Sequence, residues 1–172
     1  IKCIHPKIEF PQLAESSAPP IRLITLKAGG FEVKAGNEVV LHRHEKTFYN
    51  KPGIFARLCD DQPVAEIEDE AKHLDAYMVN YVGIELKVDG IAVESVSGDP
   101  VKFAAAVKAV RQHFTRPLVL ISNTPSVIAE GLKSLPGETP LVYAADSSNW
   151  EAMAALILAT NHINWLDAPV GF

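Results

Sequence analysis

The chain has 172 residues, 48% of them hydrophobic and 22% charged, which is enough apolar material for one ordinary globular core and too much for a disordered segment. A formal net charge of −5 and the lack of any clustered Lys/Arg stripe exclude a dedicated nucleic-acid binder. No run approaches the roughly 20 consecutive apolar residues of a membrane span, and no leader pattern opens the chain, so the expectation is a cytoplasmic protein with no membrane and no nucleic-acid partner.

Residues 1–20 carry little periodicity and end in Ser16-Ser17-Ala18-Pro19-Pro20, whose prolines favour an extended linker. The chain opens on Ile1 rather than Met, which suggests an incomplete or processed sequence. From Ile21 the pattern turns to short alternating strands, Arg22–Leu26, Phe31–Lys34 and Glu38–Leu41, separated by Gly29-Gly30 and Gly36-Asn37. These predict a small antiparallel hairpin element, over 21–42, that plugs or flanks the main array.

Ile54–Leu58 reads as the first buried strand. Val64, Ile67, Ala71, Leu74 and Met78 then recur at helical spacing with acidic residues on the other face. The stretch from Gly83 to Val96 alternates like one long strand broken at Asp89-Gly90. Helix starts are marked by Asp99-Pro100 and Thr124-Pro125, and by Ser148 with Glu151 three residues on as a capping box. Strand-like runs recur at Pro117–Ile121, Pro140–Ala144 and Ile163–Asp167, each pair separated by a helical stretch.

Strands that alternate with single helices form parallel neighbours joined by right-handed crossovers. A doubly wound sheet and a TIM barrel both begin this way. The short regular unit and the preceding hairpin favour the barrel, which typically needs ~250 residues to close. The expected fold is therefore α/β, about the first half of a TIM barrel occupying 21–172, with hairpins at its start.

In such folds ligands meet the C-terminal ends of the parallel strands. The candidates there are Cys59, Asp60 and Asp61, then Ser122 and Asn123, then Asp146 and Ser147. Asn123 and Ser147 also suit a tight helix entry and Asp146 a cap, and that structural role is the commoner one for such residues. The functional alternative is a polar rim for a pterin or another flat polar ligand.

The densest polar and aromatic cluster is His42-Arg43-His44-Glu45-Lys46-Thr47-Phe48-Tyr49-Asn50, in a connection. His42 and His44 would share a strand face, but no third metal ligand is evident beside them. Arg43 and Lys46 suit a carboxylate, a phosphate or a neighbouring subunit. Cys3 and Cys59 form neither a CxxC pair nor a disulfide framework. No phosphate-binding loop, dinucleotide fingerprint, nucleophile elbow or HExxH motif is present, so spacing alone names no reaction.

The segment Arg43–Asn50, with Ser17–Ile21 before it and Pro140–Ala145 and Asn149–Met153 after it, resembles the large (gamma) subunit family of corrinoid iron–sulfur proteins, from about Cys3 to about Thr160. These belong to the acetyl-CoA decarbonylase/synthase (CO dehydrogenase/acetyl-CoA synthase) system. The resemblance implies an N-terminal 4Fe-4S domain, a central TIM barrel and a C-terminal corrinoid (cobalamin) domain. It further implies a carrier that moves methyl from a methyl-tetrahydropterin to acetyl-CoA synthase in the Wood–Ljungdahl pathway of one-carbon metabolism and carbon fixation.

The partners so implied are a small (delta) subunit in a heterodimer, a methyltransferase and acetyl-CoA synthase. The ligand or interface candidates, read from the loop and the strand ends themselves, are Arg43, His44, Lys46, Tyr49, Asn50, Asn123 and Asp146. Cys3 stands where the last of four cluster ligands would fall. One thiolate cannot hold the cluster and no corrinoid domain follows, so the chain by itself is expected to bind neither cofactor and to be inactive alone. Two rival expectations are a pterin-binding methyltransferase barrel using Asn123 and Asp146, and a structural subunit-interaction domain docking through 43–50.

Overall fold

The computed structural model describes residues 24–35, 50–160 and 165–167. The chain divides into two units, Ile1–Ile24 with Lys34–Pro52, and Thr25–Val33 with Gly53–Phe172. The second unit holds the α/β array. Cys3, Arg43, His44, Lys46, Tyr49 and the expected strand Glu38–Leu41 lie outside the described residues.

Strands β1 (Ile24–Ala28) and β2 (Phe31–Ala35) pair as a two-stranded sheet. Gly29 and Gly30 between them have φ of +54° and +90°, the left-handed backbone that a tight two-residue hairpin turn requires. This hairpin lies at the N-terminal ends of the parallel strands. Lys27 bridges to Thr139 just ahead of β8, and a Cβ on Gly29 would come within 3.1 Å of the Thr115 carbonyl ahead of β7.

The array runs β3 (Phe55–Cys59), α1 (Val64–Ala76), β4 (Met78–Tyr81), β5 (Ile84–Lys87), β6 (Gly90–Glu94), α2 (Pro100–His113), β7 (Leu118–Ile121), α3 (Pro125–Lys133), β8 (Leu141–Ala145), α4 (Trp150–Thr160) and β9 (Trp165–Asp167). Five strands form one parallel sheet in the order β3-β6-β7-β8-β9. The order never reverses. Consecutive helices pack on one another, α1 on α2, α2 on α3 and α3 on α4, so they form one layer on one face of the sheet.

The core lies between those layers. Leu58, Ile91, Val93, Leu118, Leu120 and Val142 project from the strands against Ile67, Phe103, Val107, Val110, Ile128 and Met153 of the helices. Because side chains alternate along a strand, Arg57, Cys59, Ala92, Glu94, Val119, Ile121 and Tyr143 point the other way.

Two expectations change. Met78 leaves the first helix, which ends at Ala76, because Tyr77 is already extended with ψ of 123° and the following Val-Asn-Tyr run suits a strand. The stretch 83–96 is two strands in two sheets: Ile84–Lys87 pairs antiparallel with Met78–Tyr81, and Gly90–Glu94 joins the parallel sheet. Asp89 marks the break, accepting the Ile54 N–H at 2.9 Å and donating its own N–H to the Ile54 carbonyl at 2.8 Å. A Cβ added to Gly90 would lie 2.6 Å from the Pro117 carbonyl oxygen and against the Phe55 ring, so a side chain there would collide with both.

The helix starts follow their local chemistry unevenly. Asp99 accepts the Val101 N–H at 2.8 Å and Pro100 occupies the first turn of α2, as expected. Thr124 precedes α3 but its side chain caps nothing; its own N–H donates to Ser122 Oγ at 3.2 Å. Ser148 is not the cap of α4. Asp146 takes that role two residues earlier, Oδ1 accepting from Ser148 N at 2.7 Å, Ser148 Oγ at 2.5 Å and Asn149 N at 3.1 Å.

Candidate functional site

The C-terminal ends of β3, β6, β7 and β8 carry a polar rim built by their own connections. Asp60, directly after β3, is buried at 4% exposure, where a carboxylate needs donors. Val96 N at 2.7 Å, Ser97 N at 2.8 Å, Ser97 Oγ at 2.7 Å and Ser95 Oγ at 3.1 Å supply them. Burial pushes the Asp60 carboxyl up, but these bonds together outweigh it and hold its pKa below the ordinary value. Asp60 is thus a tie between the β3 end and the β6–α2 connection, its oxygens already engaged.

Farther along the rim, Asn149 donates from Nδ2 to the Asn123 carbonyl at 2.7 Å and accepts the Asp146 N–H on Oδ1 at 2.7 Å. The structure therefore brings the two expected rim residues, Asn123 and Asp146, to one place. Asn149, which links them, was not among the expected candidates; its signal is an Asp-Ser-Ser-Asn run ahead of a helix. The Asp146 pKa is lowered by the Ser148 hydroxyl, the Ser148 N–H and the Asn149 N–H, as for a capping carboxylate. Asn50 is half-buried and belongs to the other unit.

On the sheet face opposite the helices stands a cluster that the strand reading passed over. Arg57 Nε lies 2.5 Å from Glu94 Oε2, and Arg57 Nη2 lies 3.7 Å from the Cys59 sulfur. The Cys59 sulfur, then the Glu94 carboxylate, stabilise the charged guanidinium. The available signal was a single charge inside each of two otherwise apolar strands. Chemically the cluster is a neutralised pair beside a thiol. Both histidines among the described residues, His73 and His113, lie on helices, on the other side of the sheet from Cys59. Among the described residues no three His, Cys, Asp or Glu side chains converge to hold a metal ion.

A sequence profile described as the CO dehydrogenase/acetyl-CoA synthase delta subunit matches residues 23–167. The chain belongs to this family. Among curated relatives, a protein named acetyl-CoA decarbonylase/synthase complex subunit gamma 2 from Methanosarcina mazei is 39% identical over 153 residues, covering 89% of this chain and 33% of the relative. Subunit gamma of the same complex from Methanopyrus kandleri is 37% identical over 155 residues, 88% and 33% of the two chains. The corrinoid/iron–sulfur protein large subunit of Moorella thermoacetica is 34% identical over 149 residues, 87% and 33% of the two. This family member thus spans about a third of the length of the curated relatives it matches. The profile carries the delta name and these relatives gamma or large-subunit names. Among the described residues no helix of this family member is long and apolar enough to cross a membrane.

The residues present do not fit an iron–sulfur cluster. The chain has two cysteines, Cys3 and Cys59, where a cluster takes four thiolates. At the rim, both Asp60 oxygens are taken by donors of the 95–97 connection, whereas the bonds to the Asp146 side chain all fall on Oδ1.

Proposed function

We propose that this chain is the barrel scaffold of a corrinoid iron–sulfur protein large (gamma) subunit, the cytoplasmic methyl carrier between a methyl-tetrahydropterin and acetyl-CoA synthase in the reductive acetyl-CoA pathway. The observation that carries the reading is the family match over 23–167, together with relatives named as gamma or corrinoid large subunits. A sheet whose strand order never reverses, covered by helices on one face, is what successive βα units of a TIM barrel build. Its other face, with Ala92, Val119 and Ile121, then becomes barrel interior.

In this reading the corrinoid and the cluster are held by other parts of the full-length protein. The present residues do three mechanical things: the β1–β2 hairpin closes the N-terminal end of the strands, the Asp60 and Asp146 ties fix the connections at the C-terminal end, and the outer surface docks a small (delta) subunit. A methyltransferase and acetyl-CoA synthase are the transient partners.

The test uses the full-length protein. Co-expressed with its delta subunit, it should elute as a stoichiometric complex with a corrinoid absorption spectrum that changes on addition of methyltransferase and methyl-tetrahydropterin. Absence of both complex and corrinoid overturns the carrier reading.

A second reading has one observation in its favour, the meeting of Asn123 and Asp146 through Asn149 at a strand-end rim. It is a methyltransferase barrel that binds the pterin directly. Titration with methyltetrahydrofolate separates the two, because saturable binding abolished by Asn123→Ala belongs only to the enzyme. The Asn149 bond goes to the Asn123 backbone carbonyl, so this substitution leaves the rim's scaffold intact.

A further inference from the structure

Arg57 and Glu94 are the only charged residues in the strands β3, β6, β7 and β8. Both lie on the sheet face away from the helices, and on that face exposure changes with height along the strands. In the lower row Ala92, Val119 and Leu141 are each only 8% exposed. The next row toward the C-terminal ends runs Cys59, Glu94, Ile121 and Tyr143 in register, and none of these four is buried. An apolar floor thus lies below an open row with polar groups, at the end of the strands where ligands meet such arrays.

Arg57 starts in the lower row, but its guanidinium reaches the upper one. Nε stands 2.5 Å from Glu94 Oε2, and Nη2 faces the Cys59 sulfur at 3.7 Å. Among the described residues no acceptor engages Nη1, so at least two N–H groups of the planar guanidinium are free for a ligand. The side chain is 64% exposed, and an ion pair so open to water adds little to stability, so the fold gains almost nothing from a charge on this face. A guanidinium held from its Nε side is instead pre-oriented to grip a carboxylate at two points. Asp61, beyond the strand end, is the other negative charge acting on it.

We propose that Arg57, held by Glu94, anchors a binding site for a small aromatic carboxylate at the C-terminal mouth of the array. The ligand's carboxylate sits on the Arg57 Nη groups and its ring lies along the row over Ile121 and Tyr143. The row spans about 14 Å, three strand spacings of ~4.8 Å, which is room for one or two rings beyond the carboxylate. Ile121 supplies an apolar surface and Tyr143, 39% exposed, an aromatic one. The site goes beyond the scaffold role and rests on the barrel reading, in which this face is the barrel interior.

The experiment is titration calorimetry of the full-length protein with 2-naphthoate and with its uncharged analogue 2-naphthamide, for wild type, Arg57→Gln and Glu94→Gln. Wild type should bind the carboxylate saturably at millimolar or lower concentration and the amide at least tenfold more weakly. Arg57→Gln should abolish that preference. Glu94→Gln keeps the side-chain shape but removes the competing negative charge, so it should tighten the carboxylate severalfold, an effect that a merely structural pair would not produce. Both variants should melt within a few degrees of wild type, because the pair is exposed. No saturation of wild type by the carboxylate, equal affinity for the amide, or an unchanged preference in Arg57→Gln overturns the proposal. None of these outcomes touches complex formation with the delta subunit, so the carrier reading stands or falls separately.

Discussion

Asp60 shows how one buried side chain converts loop sequence into geometry. Its four donors come from residues 95–97, so the carboxylate fixes where the β6–α2 connection lies relative to β3. A carboxyl whose folded pKa is depressed contributes stability that is present above its unfolded pKa of about 3.9 and lost as pH falls through the folded value. Urea denaturation of the protein between pH 7 and pH 2.5 should therefore show an acid limb that is shallower in Asp60→Asn. At pH 7 the same substitution should cost about 2–4 kcal/mol, since it weakens charge-assisted bonds and leaves donors poorly satisfied in a buried site. An unchanged denaturation midpoint would mean the loop is held by other contacts.

For the elements, the three legible helix starts turn out to be three different devices. Asp99 caps α2 by side chain, α3 relies on the Thr124 backbone, and α4 is nucleated by Asp146 through an Asx-type turn. Asp99→Ala should accordingly lose ~1 kcal/mol of unfolding free energy, while Thr124→Ala should change it by under about 0.5 kcal/mol. Chemical denaturation of the two variants side by side checks the contrast, and equal losses would contradict it. The α2 prediction was legible because Asp-Pro at a helix start has one dominant geometry. The α4 prediction was not, because Asp146, Ser148 and Asn149 compete for the same N–H groups and only the path of β8 decides between them.

At the scale of the whole molecule, Arg116 joins elements distant in sequence. Its guanidinium donates to the Val88 carbonyl at 2.5 Å and the Asp75 carbonyl at 2.9 Å, and lies 5.8 Å from the Phe31 ring centre and 5.4 Å from that of Phe114. It thus gathers the end of α1, the start of β6, the end of α2 and the β1–β2 hairpin at the N-terminal end of the strands. Arg116→Met should destabilise by about 2–4 kcal/mol by removing the donors of the Val88 and Asp75 carbonyls, and Arg116→Lys should restore only a minor part, because an ammonium cannot span both carbonyls and stack on two rings. Thermal unfolding of the two variants tests this, and full rescue by Lys would show that charge alone matters.

The order and type of the main elements could be read from the chain because apolar periodicity and Asp/Pro punctuation are local properties: a 3.6-residue stripe or a five-residue apolar run needs no partner to be recognised. So could the family, through the run Arg43–Asn50 and its flanks. The split of 83–96 between two sheets, the union of Asn123 with Asp146, and the Arg57–Glu94 pair could not. Each joins residues far apart in sequence, and which partner lies across a strand is set by parallel register, whose free energy is shared among all the strands of the sheet. The hairpin at 78–87 shows the same division: alternation reveals an extended stretch only from Gly83 on, while helical spacing reads Met78 into the preceding helix, and only the folded chain shows the pairing and the apolar side of the ribbon left facing water.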